Sequence, residues 1–580
     1  MEHAQTDART MPVEVIQLIV SHLPPSKKFA ARLASKSFYA AATPEAFKHI
    51  KLDAKSSKRF ERIAETPKLR RYVREITFDA RGSSRSLNIN DDTSFRAREF
   101  FKALPFIRFY SGLKTLNLVF NRGSDIPLSS HETGSGVDYD TRYCIRHWVM
   151  IATFHCILGS RILDSNANAV DESVVSHGLM KHLTAKLGIT DEAYWGFLKE
   201  ERPTIHIEQL SITNLAQANT LDYGLHEVND QGDTMDPFTE WPVFKQITSL
   251  PSLRKLNLMI APDKKKLRES DEYTETYTFE PRSRVRFVVD CLPKWFTPAA
   301  ARNLTVLSLH YDDIWGYYPK FDFRCINPGD HPEAGFPHLR VLSLSRYCFS
   351  HEWQMDWIAS LGRCGLRELY LDECVLLSVA YCYINPKEAD IDGFCVRDVD
   401  GNEIRVSNHG YLPDSWRGGH SQDPWVAYYQ PNLRWRHFFD HWRTNMPSLV
   451  VFKMGATETH TTWSRVRMSD HWVENSPPPT AIPSGHLFML TKADAHNKFQ
   501  DLNYRRDIRM AELKVPFYVA FSPEPLDVGS QNFRPWVFLP VTEDEFSKGS
   551  QDMEDLKDDI KALGVFRETV KTQAQTRKLG

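Results

Sequence analysis

His437 and His441 stand four residues apart in RWRHFFDHWRTN, the spacing that sets two imidazoles on one helical face and could begin a two-histidine metal site. That chemistry also needs a Glu directly after the first histidine, and Phe438 stands there instead. Trp435, Phe438, Phe439 and Trp442 in the same stretch read as a packed aromatic helix. Asp398-Val-Asp400-Gly-Asn402 opens like a calcium loop, but Glu403 occupies the position where such a loop needs Gly. Asp400-Gly401 between alternating apolar residues reads better as the turn of a tight hairpin. No Gly-x-x-x-x-Gly-Lys-Ser/Thr phosphate loop and no Gly-x-Ser-x-Gly nucleophile elbow occurs. Nine Cys and 22 His permit a Cys–His pair by count, yet no Cys carries a mark of activation. The expectation is a chain without catalytic residues of its own, without a metal and without a cofactor.

Composition narrows the remaining classes. The 580 residues are 42% hydrophobic and 25% charged, ordinary for a globular chain with ample core material. A formal net charge of −2 gives no global field toward nucleic acid or anionic lipid. Lys264-Lys265-Lys266 and Arg70-Arg71 read as solvated faces. The cysteines are scattered and never form Cys-x-x-Cys, which fits reduced thiols rather than a disulfide framework or zinc module. Val149–Leu158 is too short an apolar run to span a bilayer, and MEHAQTDART lacks the apolar core of a signal peptide. The expected compartments are cytoplasm and nucleus, with neither a membrane nor a nucleic acid as partner.

The elements that could position a partner begin at residue 11. Pro12 suits a helix start, and Ile16, Ile19, Val20 and Leu23 then recur at helical spacing. Pro24 and Pro25 close that helix, and Ser26 is placed to cap the next. Phe29, Ala30, Leu33 and Ala34 repeat the apolar stripe, Phe38 follows, and Thr43-Pro44-Glu45 opens a third short turn toward Ile50 and Leu52. In order and spacing, Pro12, Glu14, Val15, Ile16, Ile19, Leu23, Pro24, Arg32, Leu33, Ser35, Lys36, Phe38, Phe47, Ile50 and Leu52 resemble the F-box. Met11 stands where that family usually has Leu, and Phe38 where it usually has Trp; both keep apolar volume. A helical cap on a larger domain is the plainer alternative.

Farther along, one pattern recurs: an apolar residue, two others, an apolar residue, one other, an apolar residue. It starts at Val73, Leu113, Ile207, Leu253, Leu304, Leu339, Leu366 and Leu449. Each occurrence describes a short strand with alternate side chains turned inward. The pattern, with lead-in turns such as Leu250-Pro251-Ser252-Leu253 and Phe336-Pro337-His338-Leu339, is similar to the leucine-rich repeat. Its starts lie 27 to 94 residues apart, wider than the regular array of that family. Arg284–Phe296, His351–Leu361 and Arg434–Asn445 have the helical spacing that crossovers between parallel strands require. An ordinary α/β domain with a parallel sheet is the plainer reading of the same strands.

The expected fold is therefore α/β: a helical F-box domain over 11–54, then an irregular leucine-rich-repeat-like strand–helix solenoid over 69–465. Residues 1–10 are expected to be a disordered N-terminus. Insertions are expected at 120–206 and 376–432, the first with a polar loop at Ser129–Gly136 and helices near Arg142–Leu158 and Ser173–Lys199. The second contains the hairpin and a long loop at Gly410–Pro431. A Pro-rich linker at 475–485 leads to a C-terminal segment, 486–580, with edge strands at Pro516–Phe521 and Trp536–Leu539 and a peripheral acidic helical tail.

These resemblances imply a substrate-recognition subunit. An F-box would bind a Skp-type adaptor and through it a cullin–RING ubiquitin ligase, while the repeat holds a protein target; the mechanism is proximity. The alternative is a scaffold outside any ligase. The resemblance implies that Pro12, Val13, Ile16, Leu23, Pro24, Leu33 and Phe38 form or support the adaptor-facing surface. Strand alternation assigns Asp79, Asn117, Thr213, Lys255, Asn257, His310, Ser345, Tyr370, Asp372 and Lys453 to one substrate face.

Overall fold

A computed structural model describes residues 11–53, 55–80, 92–120, 145–160, 188–190, 200–216, 241–261, 287–317, 319–326, 335–382, 394–397, 403–406, 427–429, 432–457, 482–483, 510–512, 516–523, 533–538 and 551–579. The chain divides into two compact units, residues 1–213 with 234–253, and residues 214–233 with 254–580. Both are mixed α/β and built on parallel strands.

The first unit opens with helices α1 (Val13–His22), α2 (Pro25–Ala31) and α3 (Lys36–Phe47). Leu23 ends α1 in an extended conformation, as the clash with the ring of a following proline requires. Pro24, not Ser26, is the N-cap of α2. Ser35 caps α3 by accepting from the Phe38 N–H at 3.2 Å. The third turn expected at Thr43-Pro44 is instead continuous with α3, with Pro44 inside the helix and the Thr43 hydroxyl donating to the Tyr39 carbonyl at 2.6 Å. Strand β1 (His49–Leu52), helices α4 (Ser57–Glu65) and α5 (Pro67–Arg70), and strand β2 (Glu75–Asp79) follow. Helix α6 (Asp92–Ala103), strand β3 (Thr115–Val119), helix α7 (Ile145–Leu158) and strand β4 (Gln209–Ala216) complete the layer. β1 to β4 pair in order, all parallel.

In the second unit β5 (Lys255–Ala261), β6 (Val306–Trp315), β7 (Val341–Phe349) and β8 (Glu368–Asp372) pair in parallel. β9 (Val375–Cys382) extends from the end of β7. β10 (Phe394–Arg397) and β11 (Glu403–Val406) pair antiparallel, with Arg397 opposite Glu403, and β12 (Ala427–Tyr429) pairs with β9. β13 (Val451–Thr457) joins β8 in parallel. β14 (Ile482–Pro483), β15 (Met510–Glu512), β16 (Phe517–Pro523) and β17 (Phe533–Phe538) add mainly antiparallel pairs.

All eight recurrences of the apolar pattern become strands, and their leucines align. Ile76, Leu116 and Leu210 are register partners in the first unit. Leu256, Leu307, Leu342, Leu369 and Phe452 are partners in the second. The strands begin on a repeated hydrogen-bond device, in which a single carbonyl accepts two successive N–H groups of the next strand. The Arg74 carbonyl takes Lys114 and Thr115 at 2.8 and 2.9 Å, and that of Arg340 takes Arg367 and Glu368 at 2.8 and 3.0 Å. A second device uses the arginine after the first apolar residue. The guanidinium of Arg74 reaches the Gly112 carbonyl, that of Arg254 the Asn303 carbonyl and that of Arg340 the Gly365 carbonyl, each just before the next motif.

The C-terminal helix Gln551–Leu579 departs from the expected peripheral tail. Leu556, Ala562, Leu563, Phe566 and Val570 are buried. Phe566 lies 4.8 Å from the Phe452 ring and stacks on Phe439 of the helix Trp435–Asn445. Its acidic stretch is matched by Arg436, which donates to Asp555 at 2.9 Å and Asp558 at 3.0 Å. Arg577 donates to the Ser448 carbonyl at 3.1 Å, a carbonyl placed before Leu449 as Gly112 is before Leu113. The helix thus supplies from outside the repeat the staple that an upstream arginine supplies elsewhere.

Residues 1–10, 129–136, 173–187, 191–199, 398–402, most of 410–431 and the linker 475–485 (apart from Ile482–Pro483) lie outside the described residues, so the expectations for them do too.

Candidate docking surfaces

The N-terminal helices have too many apolar residues for their small interior. Ile16 and Val20 of α1 are fully buried against Ala41 and Ala42 of α3, with Leu23, Ala31 and Phe38 packed around them. That arrangement consumes one face of α1. Val13, Val15, Leu18 and Ile19 remain in water, with Leu18 61% exposed. Beyond α2, Leu33 is 88% exposed, and Met11 and Tyr39 are also solvent-facing. Scattered exposed apolar residues are ordinary, but seven on one short helical module form the kind of concentration that marks a partner site.

The module around these residues is held firmly. The Arg32 guanidinium lies 5.0 Å from the Tyr39 ring centre and 4.9 Å from that of Phe47, and donates to Thr43 Oγ1 at 3.1 Å. Lys28 pairs with Glu45 at 3.3 Å, tying α2 to α3. Phe29 meets Phe47 edge to face at 5.6 Å.

Of the residues assigned to the adaptor, Pro12, Val13, Pro24 and Leu33 are exposed. Leu23 and Phe38 are half-buried, and Ile16 is fully buried. Ile16 therefore holds the exposed helix face from inside. The residues assigned to the adaptor left out Met11, Val15, Leu18, Ile19 and Tyr39, which are also exposed. The available signal was that α1 is apolar on more than one face, which a single buried stripe does not use.

The strand residues assigned to a substrate face are brought into ladders. His310, Ser345 and Asp372 are register partners, as are Asn257, Ser308, Ser343, Tyr370 and Lys453. In the first unit Asn117 partners Thr77, while Asp79 and Thr213 both partner Val119. Lys255, Asn257 and Lys453 are half-buried. The other seven, Asp79, Asn117, Thr213, His310, Ser345, Tyr370 and Asp372, are buried, which corrects the expectation of an open polar surface.

The physical reason is lateral pairing: strands about 4.8 Å apart place same-face side chains within reach of one another. Lys51 reaches Asp79 at 2.7 Å, and Asn117 donates to Glu75 and Thr77 at 3.2 Å each. Burial pushes the Glu75 carboxyl up to about 7, against the bond from Asn117. Ser345 donates to Asp372 at 3.3 Å, and the Tyr370 hydroxyl donates to Glu368 at 2.8 Å. Just beyond, Arg346 and Glu373 form a buried ion pair at 2.8 Å. Both have left-handed backbone, as does Asn214, and each lies two residues past the inward pair of its strand.

The residues whose spacing suggested chemistry have structural partners. His437 Nδ1 accepts from the Arg434 N–H at 3.1 Å, and His441 Nε2 lies 3.1 Å from Asp356. Trp435, Phe438, Phe439 and Trp442 are buried, as the aromatic-helix reading expects. Among the described residues no group of three or more His, Cys, Asp or Glu could hold a metal ion. Cys348 and Cys374 are buried thiols, and burial pushes both well above the ordinary thiol value. No helix among the described residues is long and apolar enough to cross a membrane.

No protein-family model matches this chain. No curated protein matches it either.

Proposed function

We propose that this chain is a docking protein in which the N-terminal helical module binds a Skp-type adaptor, serving as the substrate-recognition subunit of a cullin–RING ubiquitin ligase. One observation carries the reading: the segment whose residue order resembles the F-box is also where large apolar side chains are left in water, Leu18 and Leu33 above all. The leucine-rich-repeat-like solenoid remains part of the proposal, supported by the in-register leucines of both units. Target capture then falls to side chains other than the buried ladder residues, with Lys255, Asn257 and Lys453 the accessible members of the original set. The chain acts by holding a target near the ubiquitin-charged enzyme and raising its effective concentration.

The test is affinity purification of the full chain beside one lacking residues 11–52. Adaptor and cullin should both be recovered with the full chain and be lost with the deletion. Adaptor without cullin favours a scaffold outside a ligase. Neither with the full chain contradicts the reading.

A further inference from the structure

A second surface of the first unit has a different chemistry. Between α2–α3 and α4–α5 lies an open groove of about 400 Å³. Phe29, Phe47, Ile63 and Leu69 line it with apolar surface, and Arg32, Arg59 and Arg62 line it with positive charge. Phe47 and Ile63 are buried, so the floor is fixed. Arg59 lies over the Phe29 ring at 4.7 Å, and Arg32 is held between two rings and a hydroxyl. Two of the three guanidiniums are therefore already oriented without any carboxylate. Among the described residues none of the three is ion-paired, while the nearby Glu45 is engaged by Lys28 and Lys48.

Unpaired arginines over an aromatic floor are the composition of an interface centre rather than of a solvated face. Arg and aromatic residues are enriched where binding energy concentrates, and a planar guanidinium donates two parallel hydrogen bonds to a carboxylate. We infer that this groove seats a short acidic segment of a protein partner, with one apolar side chain on the Phe47–Ile63 floor and flanking carboxylates on Arg32, Arg59 and Arg62. Charge complementarity selects the occupant: three cations without counter-ions disfavour a basic segment, and the apolar floor gives a bare anion nothing to bury. Arg59 and Arg62 stand on α4, outside the 11–52 segment proposed for the adaptor, so substitutions there separate the two bindings.

The experiment uses the full chain and a labelled peptide in which one Phe is flanked on each side by paired aspartates, followed by fluorescence anisotropy. Binding should weaken as salt rises, and Arg59→Glu or Arg62→Glu should each weaken it about tenfold or more. Replacing the peptide Phe by Ala should weaken it comparably, while Arg62→Glu leaves adaptor binding unchanged. A peptide with lysines for aspartates that binds as well would overturn the inference. So would an unchanged affinity in both arginine variants, no binding of the acidic peptide at all, or inorganic phosphate displacing the peptide with no dependence on its Phe.

Discussion

The N-terminal helices and the polar face of the parallel strands invert the usual arrangement in opposite senses. On the helices Leu18 and Leu33 stand in water at 61% and 88% exposure. On the strands Asp372 and Arg346 are 0% and 1% exposed. Among the described residues nothing covers the exposed leucines. The buried polar groups have partners inside, Ser345 donating to Asp372 and Arg346 to Glu373. Residue type alone would have named the polar face as the binding surface; accessibility and pairing point to the apolar one.

The largest expected effect is at the buried Arg346–Glu373 ion pair. Arg346→Ala leaves Glu373 charged without its partner and should cost about 3–5 kcal/mol in urea unfolding followed on the second unit. Replacing both Arg346 and Glu373 by Met should recover most of that loss. A small effect of the single substitution would mean that the ladder is not structural.

On the helices the matching test is Ile16→Ala, which removes the centre of the α1–α3 cluster. It should destabilise the module by about 2–4 kcal/mol, read by local hydrogen exchange of α1 and α3. Adaptor binding would then fall through lost folding, not through a lost contact.

Stability on the strand side also depends on pH through Glu75. The Glu75 carboxyl binds its proton more tightly in the folded chain than in the unfolded one. Its favourable contribution is therefore complete below the ordinary carboxylate value and is lost as pH rises through about 7. Glu75→Gln should flatten that part of the stability profile and raise stability relative to the parent above neutrality. A parent and variant with parallel profiles would show that Glu75 is not desolvated.

Much of the architecture was legible because it depends on local period. The pattern begun at Leu253 or Leu339 marks both the strand and its register, since the two inward leucines must align to share one core. The aromatic spacing at Trp435–Trp442 marked its helix for the same reason. What local pattern could not show was what lies across from a side chain. Asp372 reads as a solvent residue until Ser345 is brought beside it, and the acidic start of the C-terminal helix reads as a free tail until Arg436 meets it. Pro44 read as a helix start, yet it continues α3. The exposed Leu18 was missed because the stripe that buries Ile16 and Val20 already accounted for a helix.

Leu18→Asp combined with Leu33→Asp gives the most direct test of the central claim, because both side chains face water and the substitutions should change stability by no more than about 0.5 kcal/mol each. Calorimetric titration of the purified adaptor into the full chain should show binding by the parent and loss of at least about two orders of magnitude in the variant, with unfolding curves superimposed. Equal binding by parent and variant, or no binding by the parent, would show that the exposed leucines are not an adaptor-docking surface.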